Sequence, residues 1–515
     1  MKRFTSCAFK IIFSRTLIII LMLLVQIAVL LFGFFRMGNY MHLVLEGTGI
    51  LGGLLIVYII NKDEPAEFKM TWIMIICLLP ILGTLIYLFV TCNAGGIGLR
   101  KRYADCQRET RGLLTTAEET KEALENCPAA FRGFTHYMEK QEGYPTYHHS
   151  TAVYYPKGED KFADLLKELQ KAEKYIFMEY FIVERGVMWN AILEILKQKV
   201  KEGVEVRVMY DGMCSITQLP YRYPKELRKY GIKAKMFSPI VPFLSTTQNN
   251  RDHRKIVVID GKVAFTGGVN LADEYINEKV RFGHWKDTAV KITGDAVKSF
   301  TVMFLQMWNV YPPTEEDYEE YFQSSDRKQL PCHDGFLIPY GETPTDREET
   351  AKKVYEGIFQ SATKYVHIMT PYFIVEREFF DHMRYAAQRG VEVSMILPHV
   401  PDKKIAYYIA RTFYPDLLRA GIKVYEYTPG FVHAKVFVSD DICATCGTVN
   451  LDYRSFYHHF ECGTYFYKSK VVSKMEEDFQ RTLMQCREVT WDYYKEIPVI
   501  QKILGSVFKL LAPLM

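Results

Sequence analysis

The chain has 515 residues, too many for one compact domain, since domains usually contain about 100–200 residues. Hydrophobic residues make up 49% and charged residues 24%, a composition that excludes a disordered protein. Lys and Arg outnumber Asp and Glu by 64 to 60, and this net charge of +4 disfavours a dedicated nucleic-acid binder. The 11 cysteines are odd in number and lack framework spacing, so we expect free thiols in a reducing compartment.

Residues 1–92 are predicted to anchor the chain in a membrane. Residues 17–35 and 71–90 are long apolar runs, and residues 43–60 form a third run that contains Glu46. About 20 helical residues cross a bilayer, so the outer two runs qualify and the middle one nearly does. Basic clusters before the first run and after the last require an even number of crossings, so either one run is re-entrant or interfacial, or one of the two clusters does not follow the positive-inside rule. We expect the body that follows to be cytoplasmic, because free cysteines suit that side.

An internal duplication follows the anchor. The hexapeptide Tyr-Phe-Ile-Val-Glu-Arg occupies residues 180–185 and recurs at residues 372–377, an offset of 192. Three shorter matches occur in the same order at offsets between 180 and 190. We therefore expect residues 151–312 and 332–490 to be two copies of one fold.

Each copy is predicted to be an α/β unit. In the first copy, residues 175–183 and 204–210 have the composition of strands, and residues 188–200 have helical periodicity that ends before Gly203. Strands that alternate with helices predict a largely parallel sheet covered by helices. A connecting region at 93–150, with one helix near 116–125, precedes the copies, and an acidic linker at 313–331 separates them.

The pattern His-x-Lys-x4-Asp occurs at repeat-related positions in both copies. Its residues are His253, Lys255 and Asp260 in the first copy and His433, Lys435 and Asp440 in the second. A His and a Lys two residues apart on a strand project from the same face, whereas the Asp at the following turn is expected to hold backbone. Asn270 and Asn450 each lie 17 residues after their His, and each amide could donate to an oxygen beside the Lys.

If the copies pack about a pseudo-twofold axis, both motifs meet in one site. Two lysines and two amides would then surround an anion with hydrogen-bond donors, which suits a phosphoryl group and its transition state. One imidazole would attack phosphorus while the other protonates the leaving oxygen, and the roles reverse when an alcohol or water arrives. The residues thus predict phosphodiester exchange through a phosphohistidine, with no metal and no cofactor.

The paired motifs resemble those of the phospholipase D superfamily. The longer strings at residues 252–261, 267–275, 430–435 and 450–455, with the apolar segment at 72–88, resemble bacterial cardiolipin synthases. The resemblance implies two tandem α/β repeats around a pseudo-twofold active site, behind transmembrane helices in the bacterial cell membrane. It also implies that two phosphatidylglycerol molecules are joined into cardiolipin with release of glycerol. The family usually has a two-span anchor, from which the extra N-terminal run departs.

The resemblance further implies a carboxylate that orients each catalytic histidine. Glu461 fits this role for His433, and Asp287 fits it for His253. The superfamily favours His253 as nucleophile and His433 as acid, although the symmetry of the motifs does not decide between them. His459 and its neighbour His458 are expected to be surface or supporting residues.

Other acceptors would give other activities at the same site. Water would make the protein a phospholipase D, and serine would make it a phosphatidylserine synthase. A nuclease is disfavoured by the anchor and the weak net charge. A non-enzymatic membrane scaffold is disfavoured because both motifs keep every polar residue.

Residues 491–515 are predicted to form a C-terminal amphipathic helix. Six apolar residues recur there at helical spacing, namely Ile500, Ile503, Leu504, Val507, Phe508 and Leu511. The helix either covers the catalytic body or lies in the lipid interface beside the active site.

Overall fold

The structure is a computed structural model that describes residues 24, 27, 28, 31, 41–91, 94–239, 249–310, 316–322, 334–346 and 348–514. Most of the first predicted apolar run, at 17–35, lies outside the described residues. The same holds for most of the predicted linker at 313–331.

Three helices precede the α/β body, namely α1 (Met41–Asn61), α2 (Ala66–Leu78) and α3 (Pro80–Thr91). They pack on one another through a small cluster that includes Ile59, Ile76 and Tyr87. The apolar run at 71–90 is divided between α2 and α3, because a proline ring clashes with the preceding helical turn. Among the described helices, none combines the length and the apolar character needed to cross a bilayer.

The connecting region contains more helix than its sequence pattern indicates. It holds α4 (Ala94–Thr110), α5 (Glu118–Glu125) and α6 (Ala129–Lys140), of which only α5 is predicted by periodicity. Tyr103 of α4 accepts a hydrogen bond from the buried Arg254 at 2.9 Å. Phe131 of α6 stacks on Tyr467 with ring centroids 3.7 Å apart. These contacts make the region part of the packed body.

The first copy forms a seven-stranded sheet in the order β1-β9-β7-β6-β2-β3-β4. Its elements are β1 (Ser150–Tyr155), α7 (Gly158–Gln170), β2 (Tyr175–Tyr180), α8 (Val187–Lys201), β3 (Glu205–Asp211), α9 (Cys214–Thr217), α10 (Tyr223–Arg228), β4 (Lys233–Phe237), β5 (Arg251–Asp252), β6 (Lys255–Ile259), β7 (Val263–Gly267), β8 (His284–Lys286), β9 (Ala289–Gly294) and α11 (Val297–Asn309). β2, β3 and β4 are parallel, but β6, β7, β9 and β1 add to them antiparallel. The prediction of a largely parallel sheet is wrong for the part of the sheet formed by β6, β7, β9 and β1. A tight hairpin, such as the one between β6 and β7, joins only antiparallel strands.

The second copy repeats this order as β10-β19-β17-β16-β11-β13-β14, with β20 added at the edge. Its elements are β10 (Phe336–Glu342), α12 (Thr350–Ser361), β11 (Tyr365–Met369), β12 (Phe373–Ile374), α13 (Arg377–Gln388), β13 (Glu392–Pro398), α14 (Lys404–Arg411), α15 (Tyr414–Arg419), β14 (Lys423–Tyr427), β15 (Gly430–Val432), β16 (Val436–Ser439), β17 (Cys443–Gly447), β18 (Leu451–Asp452), α16 (Tyr453–Tyr457), β19 (His459–Tyr467), α17 (Lys470–Leu483), β20 (Cys486–Glu488), α18 (Trp491–Glu496) and α19 (Val499–Lys509). The two matching strand orders confirm the duplicated α/β fold.

The two copies share one apolar layer. It joins side chains from both sheets with α11 and α17, for example Phe177, Phe300, Phe466 and Phe479. These residues are almost completely buried, so the copies form a single body rather than two independent domains. This arrangement places the hairpins of both copies on either side of a common centre.

Each motif aspartate lies at the turn that follows its strand. Asp260 has a φ of +52°, and its carboxylate accepts hydrogen bonds from the backbone N–H groups of Glu173, Lys174 and Tyr175, each at 2.8 Å. Asp440 binds the equivalent backbone segment at 363–365. Both aspartates therefore tie the hairpin to the start of a central strand, away from the histidines.

Asp260→Asn is expected to destabilise the protein by about 1–3 kcal/mol, because the new amide NH₂ would face backbone N–H donors. The thermal midpoint should fall, while turnover at a permissive temperature should remain close to that of the unmodified protein. Asp441→Asn is the matched control, since Asp441 is exposed and accepts one bond from the hydroxyl of Tyr365. An unchanged midpoint together with lost turnover would instead give Asp260 a chemical role.

Candidate active site

Two short parallel strand pairs between the copies place the motif histidines. β5 of the first copy pairs with the start of β19, with Asp252 opposite Phe460. β15 of the second copy pairs with β8, with Val432 opposite Lys286. The residue that follows the last paired residue is a histidine on one strand of each pair and an acidic residue on the other. His253 and Glu461, and likewise His433 and Asp287, therefore emerge side by side.

The imidazole–carboxylate contacts cross between the copies. Nδ1 of His253 lies 2.8 Å from both carboxylate oxygens of Glu461, and Nδ1 of His433 lies 2.7 Å from Oδ2 of Asp287. The expected pairing of each His with an acid of its own copy is wrong, because the strands that carry His and acid together come from different copies. Each contact fixes the ring through Nδ1 and leaves Nε2 for the reacting group.

The two carboxylates are themselves held in place. Glu461 accepts a hydrogen bond from Ser455 at 2.7 Å and a further one from Thr448. Asp287 accepts from the backbone N–H of Thr288 at 2.8 Å. A Cβ on Gly268 would lie 2.0 Å from the Asp287 carboxylate, so this glycine permits the close approach of backbone and acid.

The motif lysines lie buried beside the histidines. Nζ of Lys255 donates to the carbonyl of His253 at 2.6 Å, and Nζ of Lys435 donates to the carbonyl of His433. Nζ of Lys435 also lies 2.9 Å from Nδ1 of His433. Burial lowers the pKa of Lys255 to about 8 and that of Lys435 to about 7. An anionic group bound beside these amines would raise their pKa values again and so favour their charged forms.

Burial also sets the resting charge of the imidazole pairs. It lowers the pKa of His253 well below its usual value and that of His433 to about 4. It raises the pKa of Glu461 to about 8. In the empty site both rings therefore favour the neutral form, which is the form that His253 needs as an attacking imidazole. An anionic phosphodiester bound beside His433 would favour the protonated form that an acid needs.

The two asparagines differ in their contacts. Oδ1 of Asn270 accepts from the backbone N–H of Ile182 at 3.0 Å, and its Nδ2 donates to the hydroxyl of Tyr275 at 2.7 Å. Oδ1 of Asn450 is buried without a hydrogen-bond partner among the described residues. Asn270 thus supports the loop around the site, and Asn450 is the amide with spare hydrogen-bonding capacity.

A third histidine lies at the site against expectation. His459 is buried, its ring centroid is 5.4 Å from that of His253, and both of its nitrogens lack hydrogen-bond partners among the described residues. Burial lowers the pKa of His459 well below its usual value. Its position two residues before Glu461 on a strand is the signal that could have placed it on the same face.

Among the described residues, one group has the spacing of a metal site. Nitrogens of His253 and His459 and an oxygen of Glu461 all lie within 4.8 Å of one another. Both oxygens of Glu461 already accept bonds from Thr448 and Ser455 and contact Nδ1 of His253. A metal ion bound to these carboxylate oxygens would compete with those hydrogen bonds. The arrangement therefore favours an imidazole–carboxylate pair over a resident metal ion.

Comparisons with known proteins identify a family model and related chains. Residues 165–308 and 356–483 match the family model described as cardiolipin synthase, PLD-like domain, and residues 50–90 match phospholipase D-nuclease N-terminal. The chain is 33% identical to a cardiolipin synthase of Alkalihalophilus pseudofirmus over 90% of this chain and 91% of that one. It is 46% identical to an uncharacterized protein of Streptococcus mutans over 89% of this chain and 99% of that one.

One solved structure shares the fold at low sequence identity. The phosphatidylserine synthase of Haemophilus influenzae superimposes with a TM-score of 0.54 and 16% identity, over 71% of this chain and 95% of that one.

The lysine pKa values predict an alkaline limit to activity. Each amine is charged below its pKa and loses its charge as pH rises through it, so kcat/KM should fall between about pH 7 and pH 8. The decline in kcat should lie at higher pH, because bound phosphate favours the charged amines. Lys435→Arg should move the decline in kcat/KM upward, since a guanidinium stays charged. If Lys435→Arg and Lys255→Arg both kept the pH profile of the unmodified enzyme, a lysine origin of the decline would be contradicted.

Proposed function

Because the chain belongs to the cardiolipin synthase family of phospholipase D-like phosphatidyltransferases, we propose that it joins two phosphatidylglycerol molecules into cardiolipin and releases glycerol. The observation that carries the proposal is the single site built from both copies. It contains two imidazoles with crossed carboxylate partners and two buried lysines. A two-step transfer of a phosphatidyl group needs these components in one place.

In the first step, Nε2 of His253 attacks the phosphorus of a donor phosphatidylglycerol. The bond between phosphorus and the headgroup glycerol oxygen breaks, and His433 supplies the proton that completes free glycerol. Glu461 accepts the Nδ1–H of the phosphorylated ring and stabilises its positive charge. Lys255 and Lys435 neutralise the phosphoryl oxygens as negative charge develops on them.

In the second step, His433 removes the proton from a glycerol hydroxyl of the acceptor phosphatidylglycerol. That oxygen attacks phosphorus, the phosphorus–nitrogen bond to His253 breaks, and cardiolipin forms. His253 returns to its neutral state, and the proton taken by His433 is the one needed for the next donor. We assign the nucleophile to His253 because the resemblance to the superfamily favours the first copy.

We further propose that residues 1–92 hold the enzyme at the bacterial cell membrane, with the body on the cytoplasmic side. The match of residues 50–90 to an N-terminal family model supports this location. So do the exposed apolar side chains of α1 and α2, among them Ile50, Leu54 and Met70. Such a surface is unfavourable in water and favourable in lipid.

The function is tested with the full chain and vesicles that contain phosphatidylglycerol as the only lipid. Cardiolipin and glycerol should form in equal amounts without any added acceptor. Phosphatidic acid as the main product would show hydrolysis instead, and a product that requires added serine would show a phosphatidylserine synthase. Either result would overturn the proposed acceptor while leaving the phosphatidyl transfer intact.

His253→Ala and His433→Ala should each reduce cardiolipin formation by about 10³-fold or more, because each ring acts in both steps. His382→Ala is the matched control, since His382 is a partly exposed histidine that lies 3.8 Å from Glu356. All three variants should stay folded and membrane-bound. A labelled phosphatidyl group should be trapped on the protein under alkaline quenching, and His253→Ala should abolish that label. Near-normal turnover by either motif variant would exclude the two-histidine mechanism.

Turnover should survive exhaustive treatment with EDTA, because the lysines supply the positive charge that a metal would otherwise provide. Initial rates of cardiolipin formation before and after chelation are the measurement. Loss of turnover that one particular divalent ion restores would contradict this prediction. The same measurement on His459→Asn would then tell whether the third histidine holds that ion.

A further inference from the structure

The C-terminal helix α19 has an apolar outer face that no described residue covers. Its outward side chains are Val499, Ile500, Ile503, Val507 and Leu510, and they are between 52% and 68% exposed. At 100° per residue these positions form one continuous stripe, in which Ser506 is the only polar residue. A surface helix normally presents charged residues to water, so this face is suited to a different environment.

The opposite face of α19 is packed firmly into the body. Gly505 is buried against α14, where a Cβ would lie 2.3 Å from the carbonyl oxygen of Tyr408. Oε1 of Gln501 accepts a hydrogen bond from Arg411 at 3.1 Å, and Phe508 packs against the core of the second copy. The six predicted apolar residues are therefore divided, since Phe508 turns inward while Ile500, Ile503 and Val507 face outward. The rotation of the helix about its axis is fixed.

Two lysines border the outer face. Nζ of Lys502 lies 4.3 Å from the ring centre of Tyr494, and Nζ of Lys509 lies 3.6 Å from that of Phe413. Cations beside an apolar stripe are typical of helices that lie in the plane of a lipid interface. There the apolar side chains reach the acyl boundary and the ammonium groups meet anionic headgroups.

The outer face is continuous with the N-terminal helices. The hydroxyl of Thr71 in α2 donates to the carbonyl of Leu510, the last residue of the stripe, at 2.9 Å. Phe68 of α2 packs edge-to-face against the rings of Tyr453 and Tyr457 in α16. The apolar surfaces of α2 and α19 thus meet on one side of the body.

We propose that the outer face of α19 lies in the interfacial layer of an anionic bilayer, the same bilayer that holds residues 1–92. The inference rests on the proposed membrane location and adds a second contact, so that the body rests on the lipid surface. The contact lies on the side of the body that carries His433. Ala406 and Ala410 of α14, beneath α19, line a pocket with Tyr372 and Phe431. The Phe431 ring is 5.8 Å from the ring of His433.

The test places a fluorescent amino acid at position 503 of the full chain, in vesicles of phosphatidylglycerol and phosphatidylcholine. Lipids brominated near the top of the acyl chain should quench this fluorophore strongly. The matched control carries the same fluorophore at position 442, where Ile442 is 40% exposed at the turn of the second motif, away from the histidines, and it should be quenched little. Equal quenching at both positions would overturn the proposal. So would a crosslink between two chains through position 503 that forms equally well in detergent, because that result would identify a second copy as the occupant.

A second measurement uses variants in place of labels. Ile500→Ser, Ile503→Ser and Val507→Ser together should lower kcat/KM on vesicles by about tenfold, with less than about a twofold change on phosphatidylglycerol in detergent micelles. The matched set is Val153→Ser, Ile442→Ser and Met484→Ser, all exposed apolar positions, and it should change neither rate. Equal losses on vesicles and micelles would assign α19 a packing role and overturn the proposal.

Failure of the docking proposal is distinguishable from failure of the proposed function. Flotation of the full chain with vesicles reports the anchor, and product analysis of the unmodified enzyme reports the reaction. Quenching at position 503 with no cardiolipin formed would sustain the docking and reject the function. Cardiolipin formed without quenching at position 503 would sustain the function and reject the docking.

Discussion

The active site depends on two backbone strand pairs that cross between the copies. Each pair ends one residue before a histidine on one strand and one residue before an acid on the other. The backbone N–H of His253 donates to the carbonyl of Phe460 at 2.9 Å, and that of His433 donates to the carbonyl of Lys286 at 2.7 Å. Neither copy alone contains a motif histidine together with the carboxylate that contacts it. Catalysis therefore requires the two copies to remain docked, and the shared apolar layer provides the free energy for that docking.

Burial gives the site its electrostatic character. Lys255, Lys435, His253 and His433 are all nearly inaccessible to water, and charging any of them without an anion is unfavourable. An anionic phosphodiester bound between these groups would therefore favour their charged forms. Coulomb interactions are stronger in such an environment than in water, so the same burial that lowers the lysine pKa values increases their attraction for the substrate. A metal ion would provide comparable charge, but its ligands would have to come from groups that already hold the imidazoles.

The duplicated fold and the identity of the motifs could be predicted from the sequence because they are local or repeated. The turn at Asp260 follows from an Asp-Gly dipeptide between two apolar strands, and the structure gives both residues positive φ. The partners of the histidines could not be predicted, since the crossing depends on how two sheets pack and not on spacing within either copy. The helices α4 and α6 were missed for a related reason, as their inward residues contact distant strands rather than follow a strong local period.

His459 shows the limit of assigning residues by their neighbours in sequence. The adjacent His458 contacts the C-terminal segment, with its Nε2 3.2 Å from the carbonyl of Pro513, whereas His459 points toward His253. His458 follows the end of α16 and His459 is the first residue of β19, and only the strand assignment of 459–467 reveals which one enters the site.

The same segment links the N-terminal helices to the chemistry. Ser455 of α16 holds Glu461, and in the same helix Tyr453 and Tyr457 receive the edge of Phe68 from α2. The backbone N–H of Arg377 donates to Oε1 of Glu67 in α2 at 3.0 Å, which is a second contact between α2 and the second copy. Through α16 and Ser455, α2 is therefore connected to Glu461, the carboxylate that contacts Nδ1 of His253.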